Sequence, residues 1–333
     1  MKFLRIVGWT LASLVGIAVI AFGIAAWMYR DISAAELEAR YANEASRFMN
    51  VGGARIHYRD EGPKDAPVVV LVHANFASLL GWDAWAEGLK DSYRVIRFDM
   101  TSHGLTGPDP TGDYSLDRTM ELTEQFIDAM GLETFTIGGT SLGGTVSLLY
   151  TISHPERINR LILLSPGSLE GREQKERRGE VPDAAYVLKY ILPRALPKSF
   201  LVSGFGSKSE PSEELIDQWF EIWRLEGQRE AQLDRLSQYN VFDVESAFRS
   251  VEVPVLLLWG EENTTAKFEQ AAEVQHLLEN SDVTFISYPG VGHMATQQAG
   301  AEITVDVKKW LNTPIDELAV AAATDAETKT EPH

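Results

Sequence analysis

The chain contains no cysteine, which excludes disulfides, thiolate metal sites and cysteine-nucleophile catalysis, and is compatible with any redox compartment. Positive charge is scarce: 30 Lys and Arg stand against 48 Asp and Glu, a formal net charge of −18. Sequence-independent nucleic-acid binding needs concentrated cations to release counterions, and the only basic cluster, REQKERR at 172–178, is interleaved with glutamate. Nucleic acid is therefore excluded as a partner. No internal repeat is visible. Charge is missing altogether between Ile6 and Tyr29, and large apolar residues are almost missing from the tail after Asn312.

The uncharged run is long enough to cross a hydrocarbon core, since 24 residues at 1.5 Å each span roughly 36 Å against about 30 Å. Trp9, Trp27 and Tyr29 sit near its ends, where interfacial aromatics belong. It is read as a membrane anchor through residues 3–29, in preference to a cleaved signal, whose apolar region is shorter, or a buried core helix. Lys2 and Arg5 ahead of the span put the amino end in the cytoplasm and the main body on the outer side.

Beyond about residue 42 the pattern alternates strand and helix. ARIHYRDEG follows the Gly52-Gly53 turn as a hairpin strand, and PVVVLVH (67–73) is a continuous apolar run suited to a strand buried on both faces. Helices are expected at 82–89, at 116–130 with Ser115 as N-cap, and after Ser141; strands at 93–99, 134–139, 160–165, 254–260 and 283–289. This is an α/β order with a mostly parallel sheet. Residues 167–250 break it: AYVLKYIL and ELIDQWFEIWRL have helical spacing, with Leu215, Trp219, Ile222 and Trp223 on one stripe, and form a helical cap. The expected organisation is an anchor (1–30), a core (42–166 and 251–312), a cap (167–250) and a disordered tail (313–333).

The chemistry centres on GGTSLGG (138–144). Ser141 follows a strand and opens a helix, and glycines on either side permit a sharp turn that exposes its hydroxyl. A serine alcohol needs a base and a stabiliser for the oxyanion it creates. Of seven histidines, His293 in YPGVGHMA follows the last strand and can return to Ser141; His103 is the second choice, and His73 is expected to brace its loop. The Leu142 N–H supplies one oxyanion donor, and Asn75, with Phe76 as alternative, the other. No feature calls for a metal or an organic cofactor. A cap rich in aromatics points to a small apolar or amphiphilic substrate.

VVVLVHANFAS, RFDMTSHGLTG, GGTSLGGTVSLLYTISHPERINRLILLS, VPVLLLWGEEN and YPGVGHM, in this order, resemble the α/β-hydrolase fold superfamily, in particular its capped esterase/lipase-like and meta-cleavage-product hydrolase members. The resemblance implies an eight-stranded, mostly parallel sheet flanked by helices, with Ser141 as nucleophile and His293 as base. Serine at 141 differs from the aspartate of haloalkane dehalogenases and epoxide hydrolases. The chain also departs from the pattern: Ala74 replaces a loop glycine, TSHG replaces PGHG, and Asn263 occupies the position of the triad acid, while Ser165 occupies the alternative acid site. Three possibilities follow: Asn263 orients His293 in a slow serine hydrolase; Glu262 or Glu261 serves as the acid; or the fold has become a ligand-binding module without turnover.

Overall fold

The computed structural model describes residues 2–167, 181–238 and 242–318. The basic cluster at 172–178 and the tail from 319 onward lie outside them.

The sheet has the expected eight strands: β1 (Ser46–Val51), β2 (Ala54–Glu61), β3 (Val68–Val72), β4 (Arg94–Phe98), β5 (Phe135–Ser141), β6 (Ile158–Pro166), β7 (Val255–Gly260) and β8 (Val283–Tyr288). Their spatial order is β1-β2-β4-β3-β5-β6-β7-β8. β2 is antiparallel to β1 and β4, and the remaining pairs are parallel. The carboxyl ends of six parallel strands therefore meet at one edge, where an α/β sheet presents its loops. Val69–Val72 are fully buried because helices cover both faces.

On one face pack α4 (Leu116–Ala129), α5 (Leu142–Ser153), α9 (Val244–Arg249) and α10 (Gln270–Leu277), around Phe126, Phe135 and Trp259. On the other lie α3 (Asp83–Leu89), α11 (Ala295–Gln298) and α12 (Gly300–Asn312), around Trp82 and Trp85. Each such aliphatic or aromatic side chain, once buried, contributes about 1.5–3 kcal/mol. Ser115 caps α4 by accepting the Arg118 N–H, as its position suggests. The fold continues past Asn312: residues 315–318 form a further helical turn and Leu318 is buried against the second core, so the chain is folded through the start of the expected tail.

Between β6 and β7 the described residues are helical: a 3₁₀ segment (Asp183–Lys189), α6 (Ala195–Gly204), α7 (Glu213–Ile222) and α8 (Gln228–Ser237), followed by α9. AYVLKYIL is thus mostly a 3₁₀ turn rather than an α-helix; Pro182 and Pro193 bracket it too closely for a stable α-helix. On α7 the buried stripe is Ile216, Trp219 and Ile222, continued by Trp223, with Leu215 only partly buried.

At the amino end, α1 (Lys2–Met28) leaves its apolar stretch mostly exposed and touches the body towards its carboxyl end, which leaves an anchor or a signal and removes the buried-core reading. A short helix that the sequence pattern does not announce, α2 (Ala34–Tyr41), follows; Ser33 caps it and Leu37 buries its one apolar anchor.

Candidate active site

β5 runs straight into α5, and the junction is Ser141, held at φ +51° and ψ −119°. A side chain at positive φ is strained, and such strain persists only where its surroundings enforce it. The glycines two residues away explain how. A Cβ on Gly139 would come within 2.1 Å of the Gly143 carbonyl, and one on Gly143 within 2.1 Å of the Val72 carbonyl, so only glycines allow α5 to fold back against β5 and β3. The turn is pinned from β6: the Gly167 N–H donates to the Ser141 carbonyl (3.0 Å) and the Thr145 hydroxyl to the Gly167 carbonyl (2.7 Å). Leu142 is the first residue of α5, so its N–H has no intrahelical acceptor and lies at the positive end of the helix dipole.

The loop after β3 supplies the facing wall. His73 accepts the Met100 N–H at Nε2 (3.0 Å) and donates from Nδ1 to the Ala74 carbonyl (2.7 Å). Both ring nitrogens are thus engaged, which braces the loop, and burial lowers its basicity. Phe76 sits at φ +64°; the Trp223 indole of the cap donates to its carbonyl (2.8 Å), and its ring packs between Phe200 and Trp223. The Asn75 side-chain oxygen lies 3.0 Å from His103 Nε2, which ties the side chain back to the next loop. Among the described residues the N–H groups of Asn75 and Phe76 have no hydrogen-bond acceptor.

Behind this wall is a polar cluster that sequence reasoning missed. Asp99, buried at the end of β4, accepts from the Leu79 and Leu105 N–H groups (2.7 and 2.9 Å) and contacts His57 Nδ1 (2.7 Å). Burial pushes its carboxyl up, but His57, His73 and the Leu79 N–H together outweigh burial and hold it below the usual range. Gly104 closes over it, where a Cβ would fall 2.0 Å from the carboxylate. Arg235, projecting from α8 of the cap, reaches the same loop and donates to Ser102 Oγ (2.7 Å), Thr119 Oγ1 (3.0 Å) and the Thr101 carbonyl (2.8 Å). It is fully buried without a carboxylate partner in contact, and burial pushes its guanidinium down to about 10, still charged at neutral pH. The aspartate after RVIRF was the available signal for this cluster; nothing in the sequence around Arg235 marks it.

His293 lies in the loop between β8 and α11, only 6% exposed. That loop is held by Glu262 N–H to the Val291 carbonyl, Met294 N–H to the Gly204 carbonyl and Gly292 N–H to Gln298. Together with His73, Ala74 and Thr140, the neighbour of Ser141, His293 lines a cavity of about 10 Å³, room for one water. Burial alone lowers its pKa to about 4, and its Nδ1 has no partner. No hydrogen bond joins it to Ser141 or to Asn263.

The residues at the triad-acid position are committed elsewhere. Asn263, 4% exposed, accepts the Thr265 and Ala266 N–H groups on Oδ1 (3.0 and 2.9 Å), leaving Nδ2 buried and unpaired. Glu262 is on the surface, bound to the Ser207 N–H and hydroxyl (both 2.6 Å), which lowers its pKa. Glu261 accepts from the Ser287 hydroxyl (2.7 Å). Ser165, at φ +42°, is buried with an unpaired hydroxyl. Among the described residues no group of three or more His, Asp or Glu is placed to hold a metal ion.

The cap covers this edge. Its apolar core packs on Ala74, Phe76, Ala77 and Met294, and lines a half-open, almost wholly apolar cavity of about 170 Å³ between Phe76, Leu188, Leu192, Phe200, Trp223 and Leu233.

Comparison with known proteins agrees with this architecture. Residues 67–197 match the family model for the alpha/beta hydrolase fold. A bifunctional esterase/perhydrolase of Acinetobacter calcoaceticus is 26% identical over 74% of this chain and 92% of its own length. A 2-hydroxy-6-oxo-6-(2'-aminophenyl)hexa-2,4-dienoic acid hydrolase of Metapseudomonas resinovorans is 27% identical over 75% and 84%. The crystal structure of a membrane phospholipase A, a bacterial virulence factor, superposes with a TM-score of 0.71 at 19% identity, covering 94% of this chain and 99% of that one.

Proposed function

Since the chain is a hydrolase of the α/β-hydrolase superfamily, we propose that it is a serine esterase acting on esters with an apolar acyl group. Ser141 Oγ attacks the carbonyl carbon while His293 takes its proton. The oxyanion is received by the N–H of Leu142 and that of Asn75, with Phe76 as the near alternative. The tetrahedral intermediate expels the alcohol, which takes the proton back from His293, and water then hydrolyses the acyl-enzyme by the same route. The acyl chain lies in the cavity beneath the cap, whose wall includes Phe76. The anchor holds the enzyme in the membrane with its amino end cytoplasmic.

The observation that carries this reading is the strained Ser141 turn beside unpaired backbone donors. It fits acyl transfer; an epoxide-opening carboxylate has no counterpart at 141. Asn263 makes the enzyme slow. A productive His293 must accept from Ser141 on Nε2 and so carry its proton on Nδ1, and it needs an acceptor there. The single oxygen of Asn263 is already taken by two backbone donors.

Labelling of Ser141 by a fluorophosphonate probe and hydrolysis of short-chain activated esters, both lost in Ser141→Ala, test the proposal. The unpaired His293 Nδ1 favours a second reading, a ligand-binding protein without turnover. A folded protein that neither reacts with the probe nor cleaves esters would select it.

A further inference from the structure

Where the amino-terminal helix meets the body, it meets the cap. The Phe22 ring of α1 packs edge-on against Tyr190 (6.2 Å), and Tyr29 against Phe220 (6.4 Å). The chain is then stapled to the same region: Ile32 N–H donates to the Arg224 carbonyl (2.7 Å), Glu226 N–H to the Ile32 carbonyl (3.1 Å), and Asp31 pairs with the largely buried Arg229 (2.6 Å).

This junction fixes a depth. Phe22 lies six residues before Met28, the last residue of α1, or roughly 9 Å along the axis at 1.5 Å per residue. If α1 spans a bilayer, a side chain packed on Phe22 is below the membrane surface, at the depth of about 5–10 Å reached by interfacial segments. The cap surface is suited to that place. Outside α1, seven large hydrophobic residues among the described ones are strongly exposed, and five of them are on the cap: Val187 (46%), Tyr190 (56%), Leu196 (39%), Val202 (51%) and Leu236 (36%). Val187 lies one turn before Tyr190, whose N–H donates to the Val187 carbonyl (3.0 Å), so both exposed side chains sit at the end of the cap that meets α1. Leu196 and Leu236 also line the apolar cavity, which reaches inward to Phe76 of the oxyanion loop. Near these residues, among the described ones, the exposed cations have carboxylate partners: Lys189 with Glu230, Arg194 with Glu213 and Asp217, Lys198 with Glu213.

We infer that the cap is embedded in the bilayer interface and that its cavity takes the acyl chain of an ester directly from the membrane. The docking is apolar, so zwitterionic lipid suffices and salt has little effect. The substrate half of this inference rests on the esterase reading; the docking half does not.

The absence of cysteine gives a clean test in the full-length protein reconstituted into phosphatidylcholine vesicles. An environment-sensitive fluorophore on Val187→Cys should be blue-shifted and quenched by bromolipids, equally at low and high salt. The same label on Glu279→Cys, exposed at the opposite edge of the sheet ahead of β8, should remain quenchable only by aqueous iodide. Aqueous quenching at both positions would overturn the proposal. So would a blue shift at 187 that ignores bromolipid and grows with protein density, since a second copy would then be the occupant. In the Val187→Glu/Val202→Glu variant, hydrolysis of a vesicle-borne long-chain ester should fall at least about tenfold, the loss of two partly buried apolar contacts, while a water-soluble ester is cleaved as before. A parallel loss on both substrates would refute acyl delivery from the membrane. If the wild type cleaves neither ester, the esterase reading fails while the fluorophore still reports on docking.

Discussion

Replacing Asn263 by aspartate should raise the rate of ester hydrolysis and change its pH profile. Oδ1 of Asn263 accepts two backbone N–H groups, so its other terminal atom is a donor, buried and unpaired. Aspartate keeps the loop on one oxygen and places a second, negatively charged oxygen where the amide nitrogen now stands. An opposite charge within a few ångströms raises a histidine pKa by about 1–3 units. Starting from about 4 in His293, that recovers a value of roughly 5–7. Each unit corresponds to about 1.4 kcal/mol of imidazolium stabilisation, so kcat/KM on an activated ester should rise about 10- to 10³-fold. This stays inside the factor of about 10⁴ that separates carboxylate from amide in a working triad. The acid limb should move in step. The base works only when neutral, so wild-type kcat/KM should fall near pH 4 and that of Asn263→Asp about 1–3 pH units higher. A pH-rate series on both proteins checks both numbers. A variant with the rate and the acid limb of the wild type would refute the reasoning, because the carboxylate would not be reaching His293.

Three further outcomes are expected. Because burial holds the His293 pKa at about 4, below its ordinary 6.5, the unfolded chain binds a proton in that interval and the native one does not. Stability should therefore be lost as pH falls from 6.5 to 4, by about 3 kcal/mol from this residue, and chemical denaturation of His293→Gln should show a flatter decline. Gly139→Ala puts a Cβ 2.1 Å from the Gly143 carbonyl and should cost about 3 kcal/mol or more, seen as a lowered Tm and lost probe labelling. Trp223→Phe keeps the ring but releases the Phe76 carbonyl, and should reduce kcat about 5- to 10-fold with KM little changed, at a loss near 1 kcal/mol for one neutral hydrogen bond.

Most of the scaffold was legible because its signals are local. The all-apolar β3, the Ser115 cap and the glycines around Ser141 each state their structure within a few residues. AYVLKYIL misled because helical periodicity does not distinguish a short 3₁₀ turn from an α-helix. The candidate site residues were chosen by type and position, but several of the partners that hold them lie far away in the chain. Nothing near Asn263 in the sequence says that its oxygen serves Thr265 and Ala266, or that Glu262 binds Ser207 of the cap. Those bonds depend on loop geometry set by packing. Arg235 reaches the Thr101–Ser102 turn across more than a hundred residues, a pairing no local pattern encodes.

That arginine limits how the enclosure can open. Swinging the roof away as a rigid door would drag a cation out of its bed of hydroxyls and a carbonyl, and would release the turn that steadies His103 and, through it, Asn75. Traffic in and out then passes beside the exposed Leu196 and Leu236, on the wall of the half-open cavity, with the cap in place.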